Sequence, residues 1–405
     1  MTKGNLSEGG SLSDIRILDL TRVWAGPLAT RIMGDFGAEI IKISDPRVQL
    51  LGANGHNHKL NRNKKNIGIR LDIPSGREVF LDLVSKSDVV IENFRPRVMR
   101  NLDLSFEQLC IYNPNLIMVS MPGFGTDGPY TEFPAFGTTA EALAGIPSLI
   151  GYESGRPLAS GIAYGDPISG LNAVTLILAA LQKRNRYGGN AFIDIALASG
   201  PACAIGEYIG AYSSNIEIPP LQGNRHPRFC PHGAYKCDGH DNWVAISIIE
   251  DEQWKSLLNV INEPTIDYLR NASVEKRKEQ EDLINDIISS WTLGKNAEWI
   301  TTTLQKERIP AGTVSNSRQF IGDKHLNARG FFYDVEIDQY GIKRFDGQSI
   351  PGNRLPKSAW TSAKDVGEDS MEILTEILGY SEEKRVELEK DSSVHFTSSR
   401  IEPRS

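Results

Sequence analysis

Five short apolar runs constrain this chain more than any other feature: Ile15 to Leu20 (IRILDL), Glu39 to Ile43 (EIIKI), Asp88 to Glu92 (DVVIE), Leu116 to Met121 (LIMVSM), and the alternating Ile193, Ile195 and Leu197. Runs of this length and apolarity read as buried strands. Between the first two lies the turn TRVWAGP and a helix through Arg31 to Phe36, with Pro27 near its start and Gly37 at its end, so the chain opens as a βαβ unit. Dinucleotide sites begin in the same way, but this turn offers only Gly26 and carries bulky Trp24. With no G-x-G-x-x-G loop, a nicotinamide dehydrogenase is disfavoured.

The 405 residues leave room for two or three domains, and 40% hydrophobic content supports a sizeable core. No apolar run is long enough to span a bilayer, and MTKGNLSEGGSLSD lacks the basic-then-apolar pattern of a secretory signal, so the expected location is the cytoplasm. A net charge of −7 disfavours a general nucleic-acid binder. Cys110, Cys203, Cys230 and Cys237 are expected as reduced packing residues. The spacing of Cys230, His232, Cys237 and His240 fits no standard zinc pattern, so no metal is expected.

The stretch Gly161 to Gly200 reads as loop, helix, turn and buried strand. Leu171, Val174, Ile177, Leu178 and Leu181 recur at helical spacing and are expected to form its buried stripe, ended by Tyr187-Gly188-Gly189-Asn190. Asp166 stands at the loop-to-helix junction before Pro167, near free backbone N–H groups and the positive end of the helix, and is expected to be ionised at neutral pH. Its local sequence alone fits an N-cap that merely starts the helix.

Arg62, Lys64, Lys65 and Arg70 form a basic cluster before a helix at Gly76 to Ser85; a second set, Arg95, Arg97 and Arg100, follows the strand ending at Glu92. Both sets fit a solvated face, yet ligands of open α/β sheets bind beyond the carboxyl ends of strands, where Asn93-Phe94-Arg95 stands. A glycine-rich segment, PGFGTDGPYTEFPAFG, follows the strand ending at Met121.

Ser213 to Arg228, with Pro219-Pro220, reads as a linker; a hairpin about Asp238-Gly239 and three helices follow, with Trp254, Trp291 and Trp299 in their core. VEIDQYGIKRF reads as a return strand, then come helices at Asp369 to Leu378 and Glu382 to Lys390, and a frayed polar tail from Ser392. The expected fold class is α/β, a Rossmann-like large domain with a parallel sheet plus a smaller α+β domain joined by two long linkers. The boundaries are 1–212 for the first part of the large domain, 213–228 linker, 229–329 small domain, 330–355 linker and return, and 356–405 the remainder of the large domain.

The ordered motifs VWAGP, GAEIIKI, NRNKKNI, ENFRP, GFGTDGP, GD…SGL…LAAL and GAYKCDG, spread from about Ile15 to Leu388, resemble the class III CoA-transferase family, which includes formyl-CoA and carnitine CoA-transferases. The resemblance implies transfer of CoA from an acyl-CoA to a free carboxylic acid, with Asp166 as a nucleophile that forms a covalent aspartyl intermediate. It implies that Val23, Trp24 and Ala25 line the acyl end, although Trp24 also fits a packing role. Leu71, Asp72, Ile73, Pro74, Asn93, Phe94 and Arg95 would embrace the CoA adenine and pantetheine, and Arg62, Lys64, Lys65, Arg97 and Arg100 would offer charge to its phosphates. Pro134, Ala135, Phe136 and Gly137 match further CoA contacts. Relatives carry an Arg before Leu-Gly where this chain reads Asn101-Leu102-Asp103. Racemases of the family place a proton-shuttling His where Phe136 stands, which disfavours the alternative of an acyl-CoA racemase. A non-catalytic CoA-binding protein is the other alternative. AYKCDG and GFG look most like the carnitine branch, hinting at small polar or betaine-like acids. An interlocked homodimer is implied, and the two long linkers are in keeping with it.

Overall fold

The computed structural model describes residues 10–48, 55–152, 155–218, 221–337, 341–347 and 360–397. The chain divides into two compact units: Met1–Ile146, Ala159–Glu207 and Gly330–Ser405 form the first, Pro147–Leu158 and Tyr208–Arg329 the second.

In the first unit, β1 (Arg16–Asp19), β2 (Glu39–Ser44), β3 (Lys64–Ile69), β4 (Val89–Glu92), β5 (Ile117–Ser120) and β6 (Ala191–Asp194) run parallel in the order β3-β2-β1-β4-β5-β6. This doubly wound order reverses between β1 and β4, so the segments leaving the carboxyl ends of those two strands flank a crevice. Successive residues feed opposite faces. Leu18, Ile41, Val90 and Met118 pack with Val79, Phe80 and Leu83 on one side, while Ile17, Ile40, Val89, Ile91 and Val119 pack with Ala29, Met33, Ala173 and Ile177 on the other. The helices are α1 (Ala25–Asp35), α2 (Gly55–Asn61), α3 (Pro74–Ser85), α4 (Pro96–Asn101), α5 (Phe106–Tyr112), α6 (Gly137–Ala144) and α7 (Gly165–Tyr187).

Two expectations need correction here. Lys64 and Lys65 open a strand, β3, where the sequence suggested only the approach to a helix. The buried stripe of α7 is Ser169, Gly170, Ala173, Ile177 and Leu181, whereas Leu171 and Leu178 are exposed, as is Leu176. Small residues win because α1 comes so near that a Cβ on Gly170 would lie 2.7 Å from the Ala25 carbonyl oxygen.

In the second unit, β7 (His232–Lys236), β8 (Trp243–Ser247) and β9 (Ala311–Val314) form an antiparallel sheet, with Gly239 at φ +93° in the first connection. Helices Asp251–Ile261, Glu281–Leu293 and Ala297–Lys306 bury Trp254, Leu257, Ile284, Ile288, Ile300 and Leu304 against it. Trp299 is not core: it is exposed, its ring 6.4 Å from that of half-buried Trp291. It lies on the helix face turned away from Ile300 and Leu304. Pro219 and Pro220 lie outside the described residues.

Back in the first unit, β10 (Phe332–Ile337) and β11 (Gly341–Asp346) pair as an antiparallel hairpin, not as the single return strand the sequence suggested. The tail expected to fray from Ser392 is structured as far as Thr397, since Ser393 and Val394 are buried and β12 (Val394–His395) adds antiparallel to β3 as the seventh strand of the sheet. Its polar residues are satisfied locally: the Ser393 N–H donates to Asp391 Oδ1 at 2.9 Å, and the Arg70 N–H donates to the Ser393 carbonyl at 2.9 Å. The fold is therefore α/β with a mostly parallel sheet, accompanied by a smaller α+β unit.

Candidate active site

Asp166 is the second residue of α7, whose N-cap position is Tyr164, so its carboxylate does not cap its own helix as the local sequence suggests. Instead it accepts the Ala25 N–H at 3.2 Å and a second backbone N–H from Gly137. Ala25 is the first residue of α1 and Gly137 the first of α6. The N-termini of α1 and α6 thus meet at one buried carboxylate on the first turn of α7, each presenting a backbone donor that has no partner within its own helix. Burial raises the Asp166 pKa above its ordinary value, and the two N–H bonds oppose that shift without cancelling it. A carboxylate in this setting is more basic than one in water and is already aimed at by donors that can take up charge on its oxygens.

The turn that presents Ala25 is held in an unusual shape. Val23 adopts φ +69°, a left-handed conformation that a β-branched side chain rarely takes and that costs about 1–3 kcal/mol. Next to it, the Arg22 N–H donates to Asn93 Oδ1 at 2.8 Å and Asn93 Nδ2 donates to the Arg22 carbonyl at 2.8 Å. These two residues leave β1 and β4, so the bond pair bridges the crevice at the reversal of strand order. Arg22 lies 5.5 Å over the Phe94 ring. On the other side of Asp166, Glu141 is buried in α6 and accepts from Ser160 N, Ser160 Oγ and Tyr164 N at 2.9–3.2 Å, which pins the loop entering α7.

Beneath the turn sits a buried ion cluster that sequence spacing did not reveal. Asp19, at the end of β1, meets Lys42 at 3.1 Å and Lys64 at 2.9 Å and accepts from Thr21 and Thr30. Burial pushes Asp19 up, but the two ammonium groups and the hydroxyls outweigh it and hold its carboxyl well below the usual range. Burial pulls Lys64 down to about 8 despite Asp19. Lys64 also donates to the Pro27 carbonyl at 3.1 Å, and Lys42 to the Thr21 carbonyl.

Lys64 and Arg62 are therefore not available as phosphate contacts. Arg62 is 1% exposed, bonds both oxygens of Asp35 at 3.1 and 2.7 Å, and lies 3.4 Å over the Trp360 ring. Lys65 is half-buried and bridges Glu39 and Glu372. The remaining positions range from exposed to buried, Ala25 being fully buried. Leu71, Asp72, Ile73 and Pro74 form the turn after β3, with Asp72 exposed and paired to Arg47 and Arg70. Arg95 is exposed at the N-cap of α4, and Arg97 and Arg100, on α4, both reach Glu132. Pro134 and Phe136 are exposed, Ala135 is half-buried beneath Gly123, and Gly137 is buried against Asp166. Trp24 is half-buried.

Comparison with known proteins identifies the family. The profile of CoA-transferase family III matches residues 12–369. The chain belongs to CoA-transferase family III. A succinyl-CoA–D-citramalate CoA-transferase from Chloroflexus aurantiacus is 30% identical over 384 residues, covering 92% of this chain and 95% of that protein. A succinyl-CoA:mesaconate CoA-transferase from Haloarcula marismortui is 32% identical over 377 residues, covering 86% and 93%. A crystal structure of a CAIB/BAIF family protein from Brucella suis superposes with a TM-score of 0.82 at 25% identity, over 91% of this chain and all of that one. As a family III enzyme this chain is a CoA-transferase, and CoA thioesters are its substrates. No helix among the described residues is long and apolar enough to cross a membrane.

Proposed function

We propose that this CoA-transferase works through a covalent intermediate on Asp166. The observation that carries the reading is the convergence of the Ala25 and Gly137 N–H groups on that buried carboxylate. One Asp166 oxygen attacks the thioester carbonyl, forming an acyl-aspartyl anhydride and expelling CoA thiolate. The thiolate attacks the aspartyl carbonyl, giving aspartyl-CoA thioester and releasing the donor acid as its carboxylate. The acceptor carboxylate attacks that thioester, a second anhydride forms, and CoA thiolate attacks the acceptor acyl carbon, regenerating Asp166. In the steps at the aspartyl carbonyl, negative charge gathers on an Asp166 oxygen, and the N–H groups of Ala25 and Gly137 are placed to receive it.

The two relatives are named for succinyl-CoA and five-carbon dicarboxylic acids, so succinyl-CoA with a short dicarboxylic acceptor is the substrate pair proposed here. CoA would extend over the outward-facing Leu71 to Pro74 turn, Phe94 and Arg95, with Arg97, Arg100 and Lys65 nearest for its phosphates. Phe136, exposed beside Gly137, offers no proton shuttle and so argues against racemisation. We further propose a homodimer, in which a second copy would cover exposed apolar residues such as Leu171, Leu176 and Leu178 of α7.

Incubation with succinyl-CoA should add the mass of an acyl or CoA group to the peptide containing Asp166, removable by hydroxylamine. Asp166→Ala should fold, bind CoA and lose transfer by at least about a thousandfold. Transfer near the parent rate in folded Asp166→Ala would refute the mechanism.

A further inference from the structure

We propose that Asn93 is a positioning residue of the transfer reaction: through the backbone of Arg22 it holds Val23 in the conformation that delivers the Ala25 N–H to Asp166. The inference rests on the reading of Asp166 given above and adds a second group, remote from the reacting atoms, that governs one of its donors.

The β1–β4 pairing ends with the Leu20 N–H donating to the Ile91 carbonyl at 2.9 Å. Beyond that point the Asn93 side-chain amide takes the place of a strand peptide, accepting from Arg22 N and donating to Arg22 O at 2.8 Å each. Backbone N–H and C=O admit only one orientation of the amide, so both of its functional atoms are engaged. The position of Asn93 is fixed in turn from β4, because Glu92 Oε2 accepts the Phe94 N–H at 2.7 Å.

What this grip controls is the next residue. Val23 stands at φ +69° and is 53% exposed, so core packing does not impose its conformation. A β-branched residue left to itself leaves the left-handed region. The flanks of the turn are anchored by Lys42 on the Thr21 carbonyl and by Leu28 N on the Trp24 carbonyl at 2.8 Å. Between those anchors, the Asn93 bonds hold the peptide that enters Val23. Releasing them lets Val23 relax and turns the Ala25 N–H away from its 3.2 Å contact with Asp166. Family resemblance alone makes Asn93 a CoA contact, and that alternative predicts a different kinetic pattern.

The test uses the full-length enzyme with succinyl-CoA and reads kcat, KM and the rate of adduct formation on the Asp166 peptide. Asn93→Ala should lower kcat and the adduct rate by about 10- to 100-fold with KM changed less than about threefold. Asn93→Asp, isosteric but unable to donate to the Arg22 carbonyl, should behave in the same direction and serves if the alanine variant does not fold. Adding Val23→Gly to either variant should restore the adduct rate to within about threefold of Val23→Gly alone, because glycine takes a positive φ without help. A rise in KM at constant kcat, or failure of Val23→Gly to restore the rate, overturns the proposal. No adduct in the parent enzyme would instead defeat the reading of Asp166, whereas an adduct formed equally fast in parent and Asn93 variants defeats only this inference.

Discussion

Gly137 faces Asp166 so closely that a Cβ at residue 137 would lie 1.8 Å from the carboxylate Oδ2 and 2.9 Å from the Ala163 Cβ. Any side chain there must displace the carboxylate or pull the first turn of α6 away from it.

Gly137→Ala should therefore lower kcat by about 100-fold or more, the size of effect seen when one donor to a developing oxyanion is lost. CoA affinity, measured by calorimetry, should change little because the phosphates are held elsewhere. Parent-like turnover in this variant would mean that the Gly137 N–H does not serve the reaction.

Arg62 provides a contrast. Its guanidinium is buried between Asp35 and Trp360, so Arg62→Ala leaves a buried carboxylate with its main cation missing, at a cost of about 3–5 kcal/mol. Denaturant midpoints should fall accordingly, while CoA affinity of the folded enzyme stays near that of the parent. A variant of parent stability with weakened CoA binding would restore Arg62 to the phosphate site.

Glu92, at the end of β4, predicts a pH dependence of stability. Burial pushes its carboxyl from 4.5 up to about 7, against bonds from Ser120 and the Phe94 N–H. Between those values the folded protein keeps a proton that the unfolded chain has released, so this group's contribution falls as pH rises through the window and is lost above about 7. Glu92→Gln should thus be more stable than the parent at pH 8 by on the order of 1–3 kcal/mol, with the advantage vanishing towards pH 4.5. Equal unfolding free energies at both pH values would contradict the assignment.

Much of this was legible in the chain itself, and the exceptions share a cause. The apolar runs at β1, β2, β4 and β5 announce a parallel sheet because both of its faces are covered, and Asp166 stands out at its loop-to-helix junction. β3 escaped notice because Lys64 and Lys65 open it, and the carboxylates that accept them, Asp19 and Glu39, lie on other strands. The face of α7 was misread because periodicity identifies apolar positions but not which of them a neighbouring helix approaches; Gly170 and Ala173 admit α1 where leucines would not fit. Likewise, no local pattern tells that the Asp166 oxygens would be met by Ala25 and Gly137, or that the amide of Asn93 would be taken up by Arg22. Those contacts join segments that only the sheet order brings together.

The pairing of Val394 with Ile69 carries a consequence for how the molecule is made. On a ribosome, β3 emerges early, and its neighbour β2 is already there to pair with it. Its outer rim, however, waits for segments made after the whole of the second unit: Asp369 and Ser370 take up the Asn66 and Gly68 N–H groups, and β12 then pairs with Gly68 and Ile69. For that interval the nascent sheet offers an open row of N–H and C=O groups, the kind of edge that recruits foreign strands. Asp369, Ser370 and the two residues of β12 act as a late closure, so a chain interrupted just before residue 369 would hold most of the sheet with one adhesive side.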